Sequence, residues 1–235
     1  MKLKIQKVKI PWNLNFVIAF LLLYMIGARL HEFGHYVTAK SLGQEMYMTF
    51  SGGDYGVTSS PMHDILILAA GPIVTYSLMY FSLFSLFFSK RLKLIGLILV
   101  FLSVFQIISS FDETQIFSIL GIEPNLIYLY KIPLILIPFT IAYLSIANKR
   151  KYLSVGGLFI LSGLFFGVLI AGVIDGIFFM RMLKEGVIFP NIFGINVYMV
   201  IANLIALILF FGKNIQYLLP GKVGINFKSR EEFKK

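Results

Sequence analysis

The residues best suited to chemistry lie in one short motif, His31-Glu32-Phe33-Gly34-His35. Residues four apart on an α-helix lie on the same face, so both imidazoles can reach one cation. A glutamate between them can polarise a water molecule on that cation and transfer its proton. The motif therefore predicts a metal site with its own general base, provided that residues 31–35 are helical.

Two imidazoles do not complete a catalytic zinc site, which takes three protein ligands and leaves a fourth position for water. The chain has no cysteine, so the third ligand must offer a nitrogen or an oxygen. Asp112 and Glu113 directly follow one apolar stretch, and Asp175 lies inside a later one. The residue types alone leave both places open.

The composition shows what kind of protein must position this motif. Of 235 residues, 58% are hydrophobic and only 14% are charged, whereas soluble domains carry about 25% charged residues. So few polar side chains argue against a soluble enzyme, a disordered chain and a nucleic-acid-binding protein. The net charge of +10 is spread in short runs between apolar stretches. That distribution is typical of a protein that crosses the membrane several times.

We predict an all-α polytopic membrane protein, because several apolar stretches approach the roughly 20 residues that a helical span requires. The predicted spans are residues 13–30, 63–88, 92–109, 126–147, 153–180 and 194–212. Together they would form a single integral-membrane domain over residues 1–220, followed by a basic cytoplasmic tail over 221–235.

The segment 41–61 is too polar, and its apolar stretches are too short, to form a helix that spans a bilayer. Within this segment, the strand-like run 46–50 is followed by Gly52-Gly53, which is consistent with either a short membrane-associated β-hairpin or an ordinary exposed loop. The basic residues predict the orientation, because 16 of the 21 fall on one side of the predicted spans. By the positive-inside rule both termini are cytoplasmic, the number of spans is even, and the histidine motif lies nearer the outer face.

Residues 20–120 resemble the site-2 protease family of intramembrane zinc metalloproteases. The resemblance begins with LHEFGHYVTAKSLG at 30–43 and continues with Gly52-Gly53, near the position of the family's membrane-associated strand hairpin. Ala70-Gly71-Pro72 is similar to the family pattern AGPxxN, with Thr75 in place of the asparagine. Residues 105–112 are similar to FNxxPxxxxDG if two residues are missing, with these replacements: Gln106 for Asn, Ser109 for Pro and Glu113 for Gly.

The resemblance implies one Zn²⁺ per chain, bound by His31, His35 and Asp112, with Glu32 as the catalytic base. It implies hydrolysis of peptide bonds in or near transmembrane segments of a membrane protein or peptide substrate, in a prokaryotic cell membrane and without a nucleic-acid partner. Further residues would lie close to the substrate: Gly52, Gly53, Gly71 and Pro72.

Several alternatives stay open at this point. Glu113 or Asp175 could replace Asp112 as the ligand, and Asp175-Gly176 preserves the family's DG pair. Asp175 could instead be a buried aspartate paired with a cation such as Arg181, or serve in gating or proton transfer. Arg29 could bind a substrate carboxylate, but we expect it to extend toward the membrane interface.

The function also has alternatives. The chain could be a non-catalytic transporter, an inactive homologue that binds a membrane partner, or a zinc hydrolase that acts on lipids. Glu32 favours an enzyme, because a purely binding site needs no general base. Members of the family place the metal toward the cytoplasmic side, whereas the distribution of basic residues here places it toward the outer side.

Overall fold

The computed structural model describes residues 5–49, 52–54, 60–165, 173–175 and 190–219. Most of them are helical, as predicted, and the predicted tail over 221–235 lies outside them. The helices are α1 Leu14–Ser41, α2 Pro61–Phe88, α3 Lys93–Ser109, α4 Asp112–Ile119, α5 Ile127–Ser145, α6 Lys151–Gly163 and α7 Val197–Gly212. Short 3₁₀ helices cover Pro124–Leu126 and Asn214–Tyr217.

Within the described residues, four segments are long and apolar enough to cross a bilayer, which indicates a membrane protein. The prediction of six spans is not confirmed. At 16 residues, α7 is shorter than a typical span of about 20 residues, and the predicted span 153–180 runs into residues outside the described ranges. The four segments are Leu14–Ser41, Pro61–Phe88, Lys93–Ile119 and Pro124–Ser145.

Side chains and one glycine set the ends of the helices around the motif. The Asn13 side chain accepts a hydrogen bond from the Phe16 amide at 2.9 Å and begins α1. Ser60 caps α2 in the same way, with Pro61 as the first helical residue. Just past the end of α1, Gly43 has a φ of 73°, a conformation that glycine adopts without strain. One uninterrupted helix therefore contains residues 31–35, as the motif requires.

Helices α1, α2 and α3 enclose the main apolar core. Phe16 and Phe20 of α1, Met79 of α2, and Leu97 and Phe101 of α3 are almost completely buried there. Farther along, α1 and α2 approach closely at Gly34, where a methyl group would lie 2.9 Å from the Ala70 carbonyl oxygen. Small residues allow such close helix packing in membranes. This contact places the middle of α2 beside the histidine motif.

The predicted β-hairpin is present, although its association with the membrane stays a prediction. Strand β1, Tyr47–Met48, pairs antiparallel with β2, Gly53–Asp54. Gly52 lies in the connection, where its carbonyl accepts a hydrogen bond from the Thr49 amide at 2.8 Å. Of the two glycines, Gly52 belongs to the connection between the strands, whereas Gly53 is the first residue of β2.

A second hairpin was not predicted. Strands β3, Asn191–Ile192, and β4, Ile195–Asn196, pair antiparallel, and β4 also pairs in parallel with β1. The four strands follow the order β2-β1-β4-β3. The residues predicted to begin the sixth span therefore form sheet, and they join the start of α7 to the end of α1.

We expect Gly194→Ala to lower the free energy of unfolding by about 1–3 kcal/mol. Gly194 has a φ of 88°, and a methyl group there would collide with the Met46 carbonyl oxygen. Denaturation by SDS from detergent micelles measures the change. Phe193→Asn is the matched control, because Phe193 has a φ of 54° and asparagine tolerates that region better than phenylalanine. Equal stability of the wild type and Gly194→Ala would contradict this prediction.

The amino-terminal segment brings basic runs together at one end of the helices. The Lys93 ammonium donates to the Lys7 carbonyl oxygen at 3.0 Å, and the Lys7 ammonium donates to the Leu144 carbonyl oxygen at 2.9 Å. The lysines and arginines of the α2–α3 and α5–α6 connections therefore lie at the same end. No acidic residue occurs in the stretches 5–12, 86–93 and 144–151. Which side of the membrane this end faces stays a prediction.

Candidate metal centre

Three side chains converge beside the second half of α1, away from the basic runs described above. His31 Nε2 lies 3.1 Å from His35 Nε2 and 3.0 Å from Asp112 Oδ2. His35 Nε2 lies 3.4 Å from the same carboxylate oxygen. Both imidazoles are buried and Asp112 is half-buried. Among the described residues, this is the group of histidine and acidic side chains that is arranged to bind a metal ion.

The spacing of the three atoms fits a tetrahedral zinc site. Ligands about 2.05 Å from zinc at tetrahedral angles lie about 3.3 Å from one another. The three observed separations each fall within about 0.3 Å of that value. Two imidazole nitrogens and a carboxylate oxygen are also a donor set that zinc uses in catalytic sites.

Neighbouring groups orient both imidazoles. His35 Nδ1 lies 2.7 Å from the Ile67 carbonyl oxygen, which can only accept a hydrogen bond. Nδ1 of a neutral His35 therefore holds the proton, and the lone pair of Nε2 faces the other two ligand atoms. His31 Nδ1 lies 2.8 Å from Thr75 Oγ1, and this hydrogen bond holds the His31 ring with Nε2 directed toward Asp112 and His35. Such outer partners fix the tautomer and the ring orientation of metal ligands.

Asp112 reaches the histidines because the chain breaks between α3 and α4. Ser110 ends α3 in an extended conformation, and Asp112 is the first residue of α4. The Ser110 hydroxyl donates a hydrogen bond to Asp112 Oδ2 at 2.8 Å. The break thus turns the Asp112 carboxylate toward α1. It also places the Ser110 hydroxyl against Oδ2, the oxygen that faces the histidines.

Glu32 lies between the two histidines on α1 and is half-buried. Its carboxylate is close enough to His31, His35 and Asp112 to interact with them electrostatically. Glu32 is not one of the three converging residues. Its position therefore suits a proton-transferring group better than a ligand.

The two alternative ligands lie elsewhere. Glu113 is buried and forms an ion pair with Lys131, with 3.1 Å between Oε2 and Nζ. Asp175 is buried too, and its Oδ2 accepts a hydrogen bond from Thr49 Oγ1 at 2.9 Å. The structure therefore brings Asp112 to the histidines and gives the other two acids different partners. Arg181, suggested above as a partner of Asp175, lies outside the described residues.

The expectation for Arg29 is wrong, since its side chain is buried instead of extending to the interface. Its guanidinium donates to the Thr49 carbonyl oxygen at 3.1 Å and interacts electrostatically with Glu32 and Asp175. Arg29, which lies one helical turn before Glu32 on α1, thus connects this helix to the residue that follows β1.

Gly71 and Pro72, predicted to lie near the substrate, lie within α2. A methyl group at Gly71 would collide with His35 Nε2 and lie 2.7 Å from His31 Nε2. Pro72 lacks the amide that a regular helix would pair with the carbonyl of Leu68. The absence of a side chain at Gly71 therefore leaves space in which the two imidazoles fit.

We expect Gly71→Ala to weaken zinc binding by more than about 100-fold, because the methyl group would occupy space that the two imidazoles need. Competition with a fluorescent zinc chelator measures the affinity. Gly27→Ala on α1 is the matched control, since a methyl group there meets no atom within 4 Å. Wild-type zinc affinity in Gly71→Ala would show that the imidazoles do not depend on this space.

Sequence reasoning missed several groups that support the site. In the sequence, Thr75 differs from the family pattern without indicating a role, and Lys131 is one basic residue among 21. A hydroxyl or an ammonium within an apolar stretch was the available signal, because such groups in membrane spans are costly and usually functional. The sequence gives no sign that the Ile67 carbonyl orients His35, because every residue has a backbone carbonyl.

Comparison of the chain with protein-family models, with curated proteins and with solved structures gives no match. The resemblance to site-2 proteases therefore stays a prediction from the motifs. Any functional conclusion depends on the geometry of the site itself.

Proposed function

We propose that this protein is an intramembrane zinc metalloprotease that hydrolyses peptide bonds in or near transmembrane segments of membrane proteins. The observation that carries the proposal is the convergence of His31, His35 and Asp112 within zinc-binding distances, with Glu32 between the histidines on the same helix. The membrane-spanning character of the surrounding helices supports substrates that are themselves in the membrane.

Different side chains would bind the metal, transfer the proton and orient the imidazoles. His31, His35 and Asp112 would hold the zinc ion. When bound, zinc acts as a Lewis acid that polarises a carbonyl group and lowers the pKa of a water molecule toward 7. Glu32 takes a proton from the attacking water and then gives it to the nitrogen of the leaving amine. Thr75 keeps the His31 ring in the required orientation, and the Ile67 carbonyl keeps His35 in the required orientation and tautomer.

An apolar cavity next to the turn of α1 that contains Arg29 and Phe33 supports a hydrophobic peptide as the substrate. Its volume is about 320 Å³, and it lies between α1, α7 and the sheet. Phe33 and Met48 are among its mostly apolar lining residues, and Arg29 is also part of the wall. Arg29 lies one helical turn before Glu32 and interacts with it electrostatically, so a side chain bound in the cavity would share this neighbour with the proposed base.

A substrate helix must unwind before hydrolysis, because its carbonyl groups are engaged in hydrogen bonds. We propose that the unwound segment pairs with the sheet next to the site. Since β1 lies between β2 and β4, the strand of the first hairpin at an edge is β2, which contains Gly53. Replacing Gly52 and Gly53 by valine should slow cleavage, and a normal rate would count against this step.

The proposed site lies toward the end of the helices opposite the basic residues. His31 is 17 residues along α1 from Leu14, which corresponds to about 26 Å in a membrane about 30 Å thick. With the basic end in the cytoplasm, the reaction would take place near the outer face of the cell membrane.

The test compares cells that express the wild type with cells that express Glu32→Gln from the same locus. New protein amino termini in the membrane fraction are labelled chemically and identified by mass spectrometry. We expect termini within or next to apolar spans that appear with the wild type, disappear with Glu32→Gln and are suppressed by a zinc chelator. Identical termini in both strains would contradict a protease. A lipid profile that differs between them would then favour a lipid hydrolase.

A further inference from the structure

Lys131 is a buried lysine in the second turn of α5, within an apolar segment, and its side chain is only 4% exposed. Its ammonium donates to the carbonyl oxygens of Ile107 and Ser110, both at 2.8 Å, and pairs with Glu113 at 3.1 Å. A charged side chain is costly in such surroundings, and where it is found it usually serves a function.

The partners of Lys131 lie on both sides of Asp112 in the chain. Ser110 precedes it by two residues and Glu113 follows it directly, so one ammonium connects the end of α3 to the start of α4. The Ser110 hydroxyl in turn donates to Asp112 Oδ2, the oxygen that faces His31 and His35. A short path of hydrogen bonds therefore runs from Lys131 to the third ligand.

We propose that Lys131 is a positioning residue that holds Asp112 in place for zinc binding by fixing the α3–α4 break. This inference rests on the metal site of the proposed function, but it concerns zinc affinity and not hydrolysis. Loss of an outer partner of a metal ligand typically lowers metal affinity by about 10–100-fold. We expect a loss in that range when the ammonium is removed.

The experiment must separate this role from simple charge balance. Lys131→Met alone leaves the Glu113 carboxylate buried and unpaired, which is expected to destabilise the fold. The double variant Lys131→Met/Glu113→Gln removes both charges with little change in volume. We expect it to unfold near the wild-type midpoint and yet bind zinc about 10–100-fold more weakly, measured by competition with a fluorescent chelator.

The matched control is Lys40→Met/Glu45→Gln, which removes an exposed ion pair of 2.7 Å in the same chain. It should leave zinc affinity unchanged. Wild-type zinc affinity in the Lys131→Met/Glu113→Gln variant would overturn the positioning role while leaving the proposed metal site intact. A wild-type protein that binds no zinc would overturn both, so the two failures are distinguishable.

Discussion

Glu32→Gln is expected to reduce kcat/KM for peptide hydrolysis by about 10²–10⁴-fold while the protein still binds one zinc ion per chain. Glutamine has nearly the same size as glutamate, but it cannot accept the proton of the attacking water. The three proposed ligands do not include Glu32, so the metal site should persist. The measurement is the initial cleavage rate of one substrate, identified by its new amino terminus, with enzyme and substrate in the same lipid vesicles.

The matched control for this substitution is Glu45→Gln. Glu45 lies a few residues beyond α1, its side chain is 96% exposed, and it pairs only with Lys40 among the described residues. It should cleave at the wild-type rate. Activity of Glu32→Gln within a few-fold of wild type, at full zinc content, would exclude Glu32 as the base. Loss of zinc together with activity would instead place Glu32 in the support of the metal site.

Local sequence was sufficient to predict the parts of the site that lie on one helix. The spacing of His31 and His35 requires only that residues 31–35 be helical, and the apolar run before them made that the expected conformation. The first β-hairpin was similarly local, since a strand-like run and a pair of glycines lie next to each other. Both predictions needed no knowledge of tertiary packing.

The second hairpin could not be anticipated in the same way. Ile195 is apolar and comes just before the apolar run of α7, so the predicted sixth span, 194–212, includes strand β4. The turn also places Phe193 at a φ of 54°, which is uncommon for a bulky residue and gives no sequence signal. Pairing of β4 with β1, far away in the chain, supplies the contacts that favour this conformation.

The choice of the third candidate ligand needed more than residue types. Asp112 and Asp175 both lie near apolar stretches, and the resemblance favours Asp112, but the proximity of its carboxylate to the histidines follows from the packing of the helices. Thr75, Ser110 and Lys131 reach the site from three different elements. Each is a single polar residue among apolar ones, so the sequence marks it as unusual without showing its partner.

We expect Asp112→Asn to weaken zinc binding by more than about 100-fold and Asp175→Asn to leave it within a few-fold of wild type. An amide oxygen carries no charge and is a poor zinc ligand, so the first variant keeps only the two imidazoles. Since loss of an outer partner can already cost about 10–100-fold in affinity, loss of a ligand should cost more. Metal content by plasma mass spectrometry and competition with a fluorescent chelator give the stoichiometry and the affinity.

Asp175→Asn is a matched control because both aspartates are at least half-buried and each accepts a hydrogen bond from a hydroxyl group. Asparagine can still accept from Thr49, so the second variant should retain its local structure. Zinc loss with Asp175→Asn alone would move the third ligand to the segment around residue 175 and contradict the geometry described above. Equal loss in both variants would point to a general weakening of the fold, which the unfolding midpoints of the two proteins would reveal. Loss with Asp112→Asn alone would establish Asp112 as the third ligand, the residue that the α3–α4 break places beside the histidines.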